Sequence, residues 1–241
     1  MIVRRFLLWA RTAPAEARAS GAANLAAAYL RSGMSDEDRH EAETALMALI
    51  DDPSPLVRRA IAEEMAPSMR TPRNLALSLI AEQSDVAALV LAHSPVLTEA
   101  DLADAAAIGD TLAQKAIAMR RCLPISVCAA LAEVGCEEAL VTLAGNRTAE
   151  IPDFSLERMI ERHGDSGALR EALLERADLP GGLRQTIAAR VSDTLASFVT
   201  GCGWLTAERS ARLARESTER GAVALAAGGE ASDAPAIVEV L

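Results

Sequence analysis

Five prolines recur along the middle of the chain at an almost constant interval. Pro67, Pro95, Pro124, Pro152 and Pro180 are separated by 28, 29, 28 and 28 residues. A fixed period of this length is typical of stacked supersecondary units, none of which buries its apolar face alone. Between successive prolines lie two apolar-periodic stretches joined by a short break of Asp, Gly or Ser, the pattern of a helix-turn-helix unit. We therefore predict an all-α, right-handed α-solenoid with a period of about 28 residues.

Composition and local signals also favour helices over strands. The 241 residues are 51% hydrophobic, mostly Ala and Leu, and only 2% aromatic. Aromatic and β-branched residues, which strands favour, are therefore scarce. Ser35 is a predicted N-cap, and Thr98 with Asp101 predicts a capping box. Breaks are predicted near Ser84-Asp85, at Gly109-Asp110, at Gly135 and at 163–165, and helices are predicted to fill the stretches between them.

One predicted turn resembles a known repeat signature. Residues 51–60 read Asp-Asp-Pro-Ser-Pro-Leu-Val-Arg-Arg-Ala and resemble a HEAT repeat, with Asp and Pro at the turn and Val-Arg entering the second helix. The resemblance implies that Asp52, Pro55, Val57 and Arg58 form a structural ladder between neighbouring HEAT-like helix-turn-helix repeats. Later units keep an acid or a glycine at the turn but lack the Val-Arg pair.

A wider resemblance covers nearly the whole chain. The opening helix from Val3 to Arg18, the element at 52–59 and the proline-punctuated middle together look like an alphaproteobacterial family known only as a domain of unknown function. That family is similar in fold to HEAT and leucine-rich-variant helical repeats. The resemblance implies a bacterial cytosolic protein and names no catalytic residue.

The ends of the chain differ from its middle. We predict capping helices over 1–34, the repeat solenoid over 35–200 and C-terminal helices over 201–241. The final amphipathic segment begins near Ser232 and is still apolar at Leu241. We therefore expect this chain to be truncated from a longer protein, as the length of the similar family also implies.

No pattern in the chain indicates catalytic or cofactor chemistry. There is no glycine-rich phosphate loop before Lys115 and no G-x-S-x-G elbow. Glu37 and His40 form a Glu-x-x-His pair, but no second copy occurs to complete a bundle metal site. We predict no enzyme activity, no cofactor, no metal and no small-molecule substrate.

The four cysteines indicate a reduced compartment. Cys122, Cys128, Cys136 and Cys202 contain no C-x-x-C pair and have no histidine at zinc-ligand spacing. We interpret them as buried apolar residues of a cytoplasmic protein.

The net charge of −10 is unevenly distributed. A candidate basic arm near the N-terminus consists of Arg4, Arg5, Arg11 and Arg18. Between Asn74 and Gln114 there is no lysine or arginine. The candidate acidic face in this stretch consists of Glu82, Asp85, Glu99, Asp101, Asp104 and Asp110. Such a face predicts a basic protein partner or the arm of a second copy, and a solvated face without a partner is the alternative.

These observations favour a non-enzymatic scaffold that binds a protein partner or associates with itself. One alternative is a HEAT-like protein that binds or repairs alkylated DNA. It requires basic residues on one concave face, and the candidates are Arg58, Arg59, Arg120, Arg121, Arg147 and Arg158. The absence of aromatics between Tyr29 and Phe154 counts against a base-flipping pocket. A membrane-surface adaptor, using the basic amphipathic N-terminal helix, is a further alternative. We expect neither nucleic acid nor membrane as the partner.

Overall fold

The computed structural model describes residues 2–31 and 33–228, and all regular secondary structure within these ranges is α-helical. The helices are α1 (Ile2–Ala10), α2 (Ala15–Arg31), α3 (Asp36–Ile50), α4 (Pro55–Met65), α5 (Arg73–Ile80), α6 (Ser84–His93), α7 (Glu99–Ile108), α8 (Thr111–Ala118), α9 (Ile125–Val134), α10 (Glu137–Gly145), α11 (Asp153–His163), α12 (Gly167–Leu174), α13 (Gly181–Gly201) and α14 (Ala207–Gly228). The prediction of an all-α fold is confirmed for these residues. The predicted segment after Ser232 lies outside them.

Local capping signals explain where several helices begin. The Ser35 side chain accepts a hydrogen bond from the Asp38 backbone N–H at 3.1 Å and starts α3. Thr98 and Asp101 form both halves of the predicted capping box at the start of α7. One predicted break is wrong: α6 begins at Ser84, so the turn lies before Ser84-Asp85. An aspartate in the first turn is favoured there because it faces the positive end of the helix dipole.

The chain divides into two compact units, Met1–Arg120 and Arg121–Leu241. In the first unit α2 packs on α4, α4 on α6, and α6 on α8, while α1 packs on α3 and α3 on α5. In the second unit α9 packs on α11, α10 on α12, α11 on α13, and α13 on α14. Within each unit, therefore, many helices pack on the second helix along the chain, and several also pack on the next one, as α5 does on α6 and α7 on α8. The proline period runs through the division at 120/121 without a change.

Each unit has a core of leucine, isoleucine, methionine and alanine. The small alanines allow helix axes to approach closely. The largest fully buried side chains are Leu46, Ile61, Met65, Leu75, Leu79, Leu91 and Ile117 in the first unit, and Leu131, Leu140, Leu143, Leu156 and Met159 in the second.

Arginines at helix ends return to the carbonyl ends of earlier helices. Arg120, beyond α8, donates hydrogen bonds to the backbone oxygens of Leu91 at 2.6 Å and Ser94 at 2.8 Å, at the end of α6. Burial lowers the pKa of its guanidinium below the ordinary value. In the second unit Arg162 donates likewise to Ala132 and Gly135 at the end of α9. The last carbonyls of a helix lack partners within the helix, so these arginines satisfy them and attach one helix to another.

The cysteines do not share one environment. All four are free thiols, with Cys128 buried and Cys136 half-buried. Burial raises the pKa of the Cys128 thiol to about 11. Cys122 and Cys202 are exposed, so their interpretation as buried residues is wrong. Both lie in chain turns rather than on a buried helix face, Cys122 in the turn after α8 and Cys202 directly after α13.

Candidate functional site

A groove of about 700 Å³ lies between the α5–α6 pair and the α7–α8 pair of the first unit. We call it the α5–α8 groove. Apolar side chains from α5 and α7, namely Leu77, Ile80 and Ile108, form part of its lining. Four members of the predicted acidic face also line it: Glu82, Asp101, Asp104 and Asp110. The structure therefore brings together four of the six acidic residues that the sequence singled out.

Asp101 is held in place by the start of its own helix and by a neighbouring helix. Its carboxylate accepts hydrogen bonds from the Thr98 backbone N–H at 2.8 Å and from Arg73 of α5 at 2.7 Å. Burial acts to raise the pKa of Asp101, but the hydrogen bonds from Thr98 and Arg73 outweigh it and the pKa lies below the ordinary value. The carboxylate is therefore charged at neutral pH.

Asp110 is itself the N-cap of α8. The Ser84 hydroxyl and the backbone N–H groups of Ala113 and Leu112 donate to its carboxylate, and these bonds lower its pKa. The Ala113 N–H lies 2.9 Å from the carboxylate oxygen. Asp110 thus serves as the N-cap of α8 while it contributes negative charge to the α5–α8 groove.

The remaining members of the acidic face differ in their surroundings. Glu82 pairs with Arg58 at 3.0 Å, and both side chains are largely buried. Asp104 is exposed and has no ion-pair partner among residues 2–31 and 33–228. Asp85 lies outside the lining and is 3.9 Å from Arg59. Glu99, in the first turn of α7, also lies outside the lining. Asp104 is consequently the lining acid whose charge is most open to a partner.

Ile108 is an apolar feature of the groove that the charge pattern of the sequence does not indicate. Its side chain is 88% exposed at the end of α7. The buried stripe of α7 runs through Leu102 and Ala106, four residues apart as one helix face requires. Ile108 lies off that stripe, and an isoleucine off the buried stripe of a short helix is the signal that could have indicated it.

The residues of the HEAT resemblance lie at contacts between helices. The Asp52 carboxylate accepts two hydrogen bonds from Arg18 of α2, both at 2.8 Å, and one from the Ser54 backbone N–H. Arg58 of α4 pairs with Glu82 in the turn before α6. Pro55 is at the first turn of α4, and Val57 is fully buried.

The ionised form of Asp52 contributes to stability. Hydrogen bonds from Arg18 lower the pKa of Asp52 below its ordinary value of 3.8. Because the folded pKa is lower than the unfolded one, this stabilisation is present above the unfolded pKa and is lost as the pH falls through the folded pKa.

Replacing Asp52 with asparagine should lower the free energy of unfolding by about 1–2 kcal/mol near neutral pH, and the difference should shrink in acid. Urea denaturation over a pH series measures both effects. The exposed control Asp104→Asn should show no such loss, and an Asp52→Asn deficit that grows in acid would contradict the assignment.

The predicted basic arm is not brought together as one group. Arg5 and Arg11 are exposed, whereas Arg18 is bound to Asp52 and to the Ala13 carbonyl oxygen. The side chain of Arg4 lies outside the described residues. In α1 the rings of Phe6 and Trp9 lie over Gly21 of α2, where an added Cβ would be 2.9 Å from ring atoms of both.

Most of the arginines required by the DNA-binding alternative are occupied inside their own units. Arg58 pairs with Glu82, and Arg59 pairs with Glu63 at 2.9 Å. Arg120 binds backbone carbonyls, and Arg158 pairs with Glu133 at 2.9 Å. Arg121 and Arg147 are exposed.

Among residues 2–31 and 33–228, no three His, Cys, Asp or Glu side chains are grouped so as to hold a metal ion. Within the same ranges, no helix combines the length and the apolar character that crossing a bilayer requires.

Comparison with known proteins gives one result. No curated protein and no solved structure matches the chain. Residues 86–241 match the family described as an uncharacterised protein conserved in bacteria, DUF2336. This match covers more than half of the chain, including the α7–α8 side of the groove, and the protein therefore belongs to the DUF2336 family of bacteria.

Proposed function

We propose that this bacterial protein is a non-enzymatic scaffold whose α5–α8 groove binds a basic, amphipathic segment of a partner protein. The observation that carries the proposal is the location of the exposed Ile108 among four carboxylates in one groove. The partner segment that fits this groove is a helix or an extended strand. It presents arginine or lysine to the fixed acids and leucine or isoleucine to the apolar side chains.

The two kinds of lining residue have separate roles in this proposal. Burial of an apolar anchor in the groove supplies most of the binding free energy, as it does at the centre of other interfaces. The carboxylates attract a basic segment and disfavour an acidic one, an effect that salt weakens. Because Asp101 and Asp110 are fixed by helix caps, their charges are in position before a partner arrives.

We further infer that the helix pairs are HEAT-like repeats of a right-handed solenoid. The regular proline spacing supports this inference, as does the packing of α2, α4, α6 and α8 on one another in the first unit. The Arg18–Asp52 and Arg58–Glu82 pairs, each of which joins separate elements of the first unit, also support it. An alphaproteobacterial host and a cytosolic location stay predictions.

Binding of two designed helical peptides tests the proposed function. One peptide combines leucine with arginine, and the other has glutamate in place of each arginine. Fluorescence anisotropy should detect binding of the basic peptide to the full chain and none of the acidic one. Ile108→Asp should weaken binding about thirtyfold, because an apolar anchor is lost. Asp104→Arg should weaken it about three- to tenfold, with the larger effect at low salt.

Matched control variants distinguish an effect of the groove on binding from a general effect of surface charge or of exposed apolar residues. Met69→Asp replaces an apolar residue that is 76% exposed outside the groove, and Glu150→Arg reverses an exposed charge in the second unit. Both should leave the affinity unchanged. Equal weakening by Met69→Asp and Ile108→Asp would refute the groove as the site. Salt-dependent binding of duplex DNA that is lost in Arg121→Ala would instead favour the DNA-binding alternative.

A further inference from the structure

The hairpin of α13 and α14 in the second unit presents large apolar side chains to solvent. Leu195 and Phe198 on α13 are 57% and 58% exposed, Trp204 in the connection is 69% exposed, and Leu213 on α14 is 46% exposed. We call these four residues the hairpin face. They lie in a part of the chain that the proposed function does not use.

The contact between α13 and α14 explains why these side chains remain outside. Small residues, including Ala196, Ala214 and Ser210, line both grooves along this contact, and the Ser210 hydroxyl is hydrogen-bonded to that of Thr200. Small residues at a helix contact bring the backbones close together, so little room remains between the helices for a leucine or an aromatic ring.

The large side chains are displaced together to one side of the hairpin. Leu195, Val199, Leu205 and Leu213 line a shallow groove of about 160 Å³ along this side. Phe198 extends the surface, because its ring packs edge-on against Trp204 with 5.9 Å between ring centroids. The hairpin face is therefore continuous from α13 across the connection to α14.

The hairpin face is as large as the largest apolar patch of a typical monomer, a patch that is often functional. The exposed fractions of its four side chains amount to roughly 500 Å² of accessible surface. A contiguous apolar patch of this size commonly marks an interaction site. Nothing within the described part of the second unit covers it.

We propose that the hairpin face binds the same face of a second copy, so that two α13–α14 hairpins form an antiparallel four-helix bundle. Twofold symmetry doubles the buried patch to roughly 1,000 Å², the area that a specific interface requires. In such bundles each long helix contacts two others. Here α14 contacts α13 through its small residues and leaves Leu213 at its flank for a second partner.

In this arrangement, charged residues of α14 in one copy lie beside residues of opposite charge on α14 of the other copy. Arg209 and Glu216 are both exposed beside the Leu213 flank and lie seven residues apart, which is too far for a pair within one helix. When two copies of α14 run antiparallel and cross at Leu213, Arg209 of one copy comes beside Glu216 of the other. This self-complementarity favours a second copy over an unrelated protein or a lipid surface.

Sedimentation velocity of the full chain over a concentration series tests the proposal. The wild-type chain should be a dimer at micromolar concentrations. Leu195→Asp combined with Phe198→Asp should raise the dimer dissociation constant at least about thirtyfold, with helical circular dichroism unchanged. The control Met69→Asp places the same charge at an exposed apolar residue of the first unit, outside the α5–α8 groove, and should leave the dimer intact. A monomeric wild-type chain, or a dimer that persists in the double variant, would overturn the proposal.

Charge reversal tests the antiparallel pairing separately. Arg209→Glu should weaken the dimer about tenfold by placing two acids together, and adding Glu216→Arg should restore it. In a chain with the native cysteines replaced by serine, Leu213→Cys should form a disulfide-linked dimer under mild oxidation, because the two copies meet at this residue. Failure of the double reversal to restore the dimer, or of Leu213→Cys to cross-link, would overturn the proposed arrangement.

Discussion

Replacing Arg176 with alanine should lower the free energy of unfolding of the second unit by about 3–5 kcal/mol. Its guanidinium donates hydrogen bonds to the backbone oxygens of Ala144 at 3.1 Å, Asn146 at 3.1 Å and Ala149 at 3.0 Å. It also pairs with Asp178, while Arg176 as a whole is only 6% exposed. The alanine variant would leave these carbonyls without their donor at the end of α10.

The experiment follows unfolding in urea by the fluorescence of Trp204, with Trp9 replaced by phenylalanine so that the signal comes from the second unit. Arg121→Ala removes an exposed arginine and should change the free energy by less than about 0.5 kcal/mol. Arg176→Lys keeps the charge but not the planar fork of donors, and should give an intermediate loss. A loss below about 1 kcal/mol for Arg176→Ala would show that water replaces the guanidinium at little cost.

The sequence predicts interactions between residues that are close along the chain better than interactions between distant residues. The caps at Ser35 and at Thr98 with Asp101 join residues three positions apart, so the residue types alone indicate them. The contacts of Arg120 join residues 26 and 29 positions apart. No local pattern specifies which carbonyl such an arginine will reach, and the sequence analysis did not identify this role.

The same distinction applies to the candidate groove. A run without basic residues was sufficient to predict an acidic face, and Asp101 and Asp110 do lie in one groove. The bulk charge did not show that Glu82 is already paired with Arg58, because that pair joins α4 to the turn before α6. Nor did it indicate Ile108, whose exposure follows from the packing of α7. The apolar half of the groove and the pairing of its acids therefore required the structure, whereas the local run of acids did not.

Replacing Gly135 with alanine should destabilise the second unit by about 2–3 kcal/mol. Gly135 ends α9, and a Cβ at this position would lie 2.5 Å from the Leu131 carbonyl oxygen and 3.1 Å from Leu140 Cδ2. The backbone has little freedom to move away. Its N–H donates to that same Leu131 oxygen at 2.7 Å, and its own carbonyl oxygen accepts a hydrogen bond from Arg162 at 3.0 Å.

Gly145 provides the matched control in the same unit. It is the last residue of α10, and an added Cβ there would meet no atom within 4 Å. Gly145→Ala should therefore stabilise the second unit by about 0.5 kcal/mol, because alanine loses less backbone entropy in a helix than glycine does. The same urea titration with Trp204 fluorescence measures both variants. We expect the two changes in the free energy of unfolding to have opposite signs. The two substitutions add the same methyl group and differ only in the space around it. Two changes of the same sign would therefore contradict the close approach at Gly135.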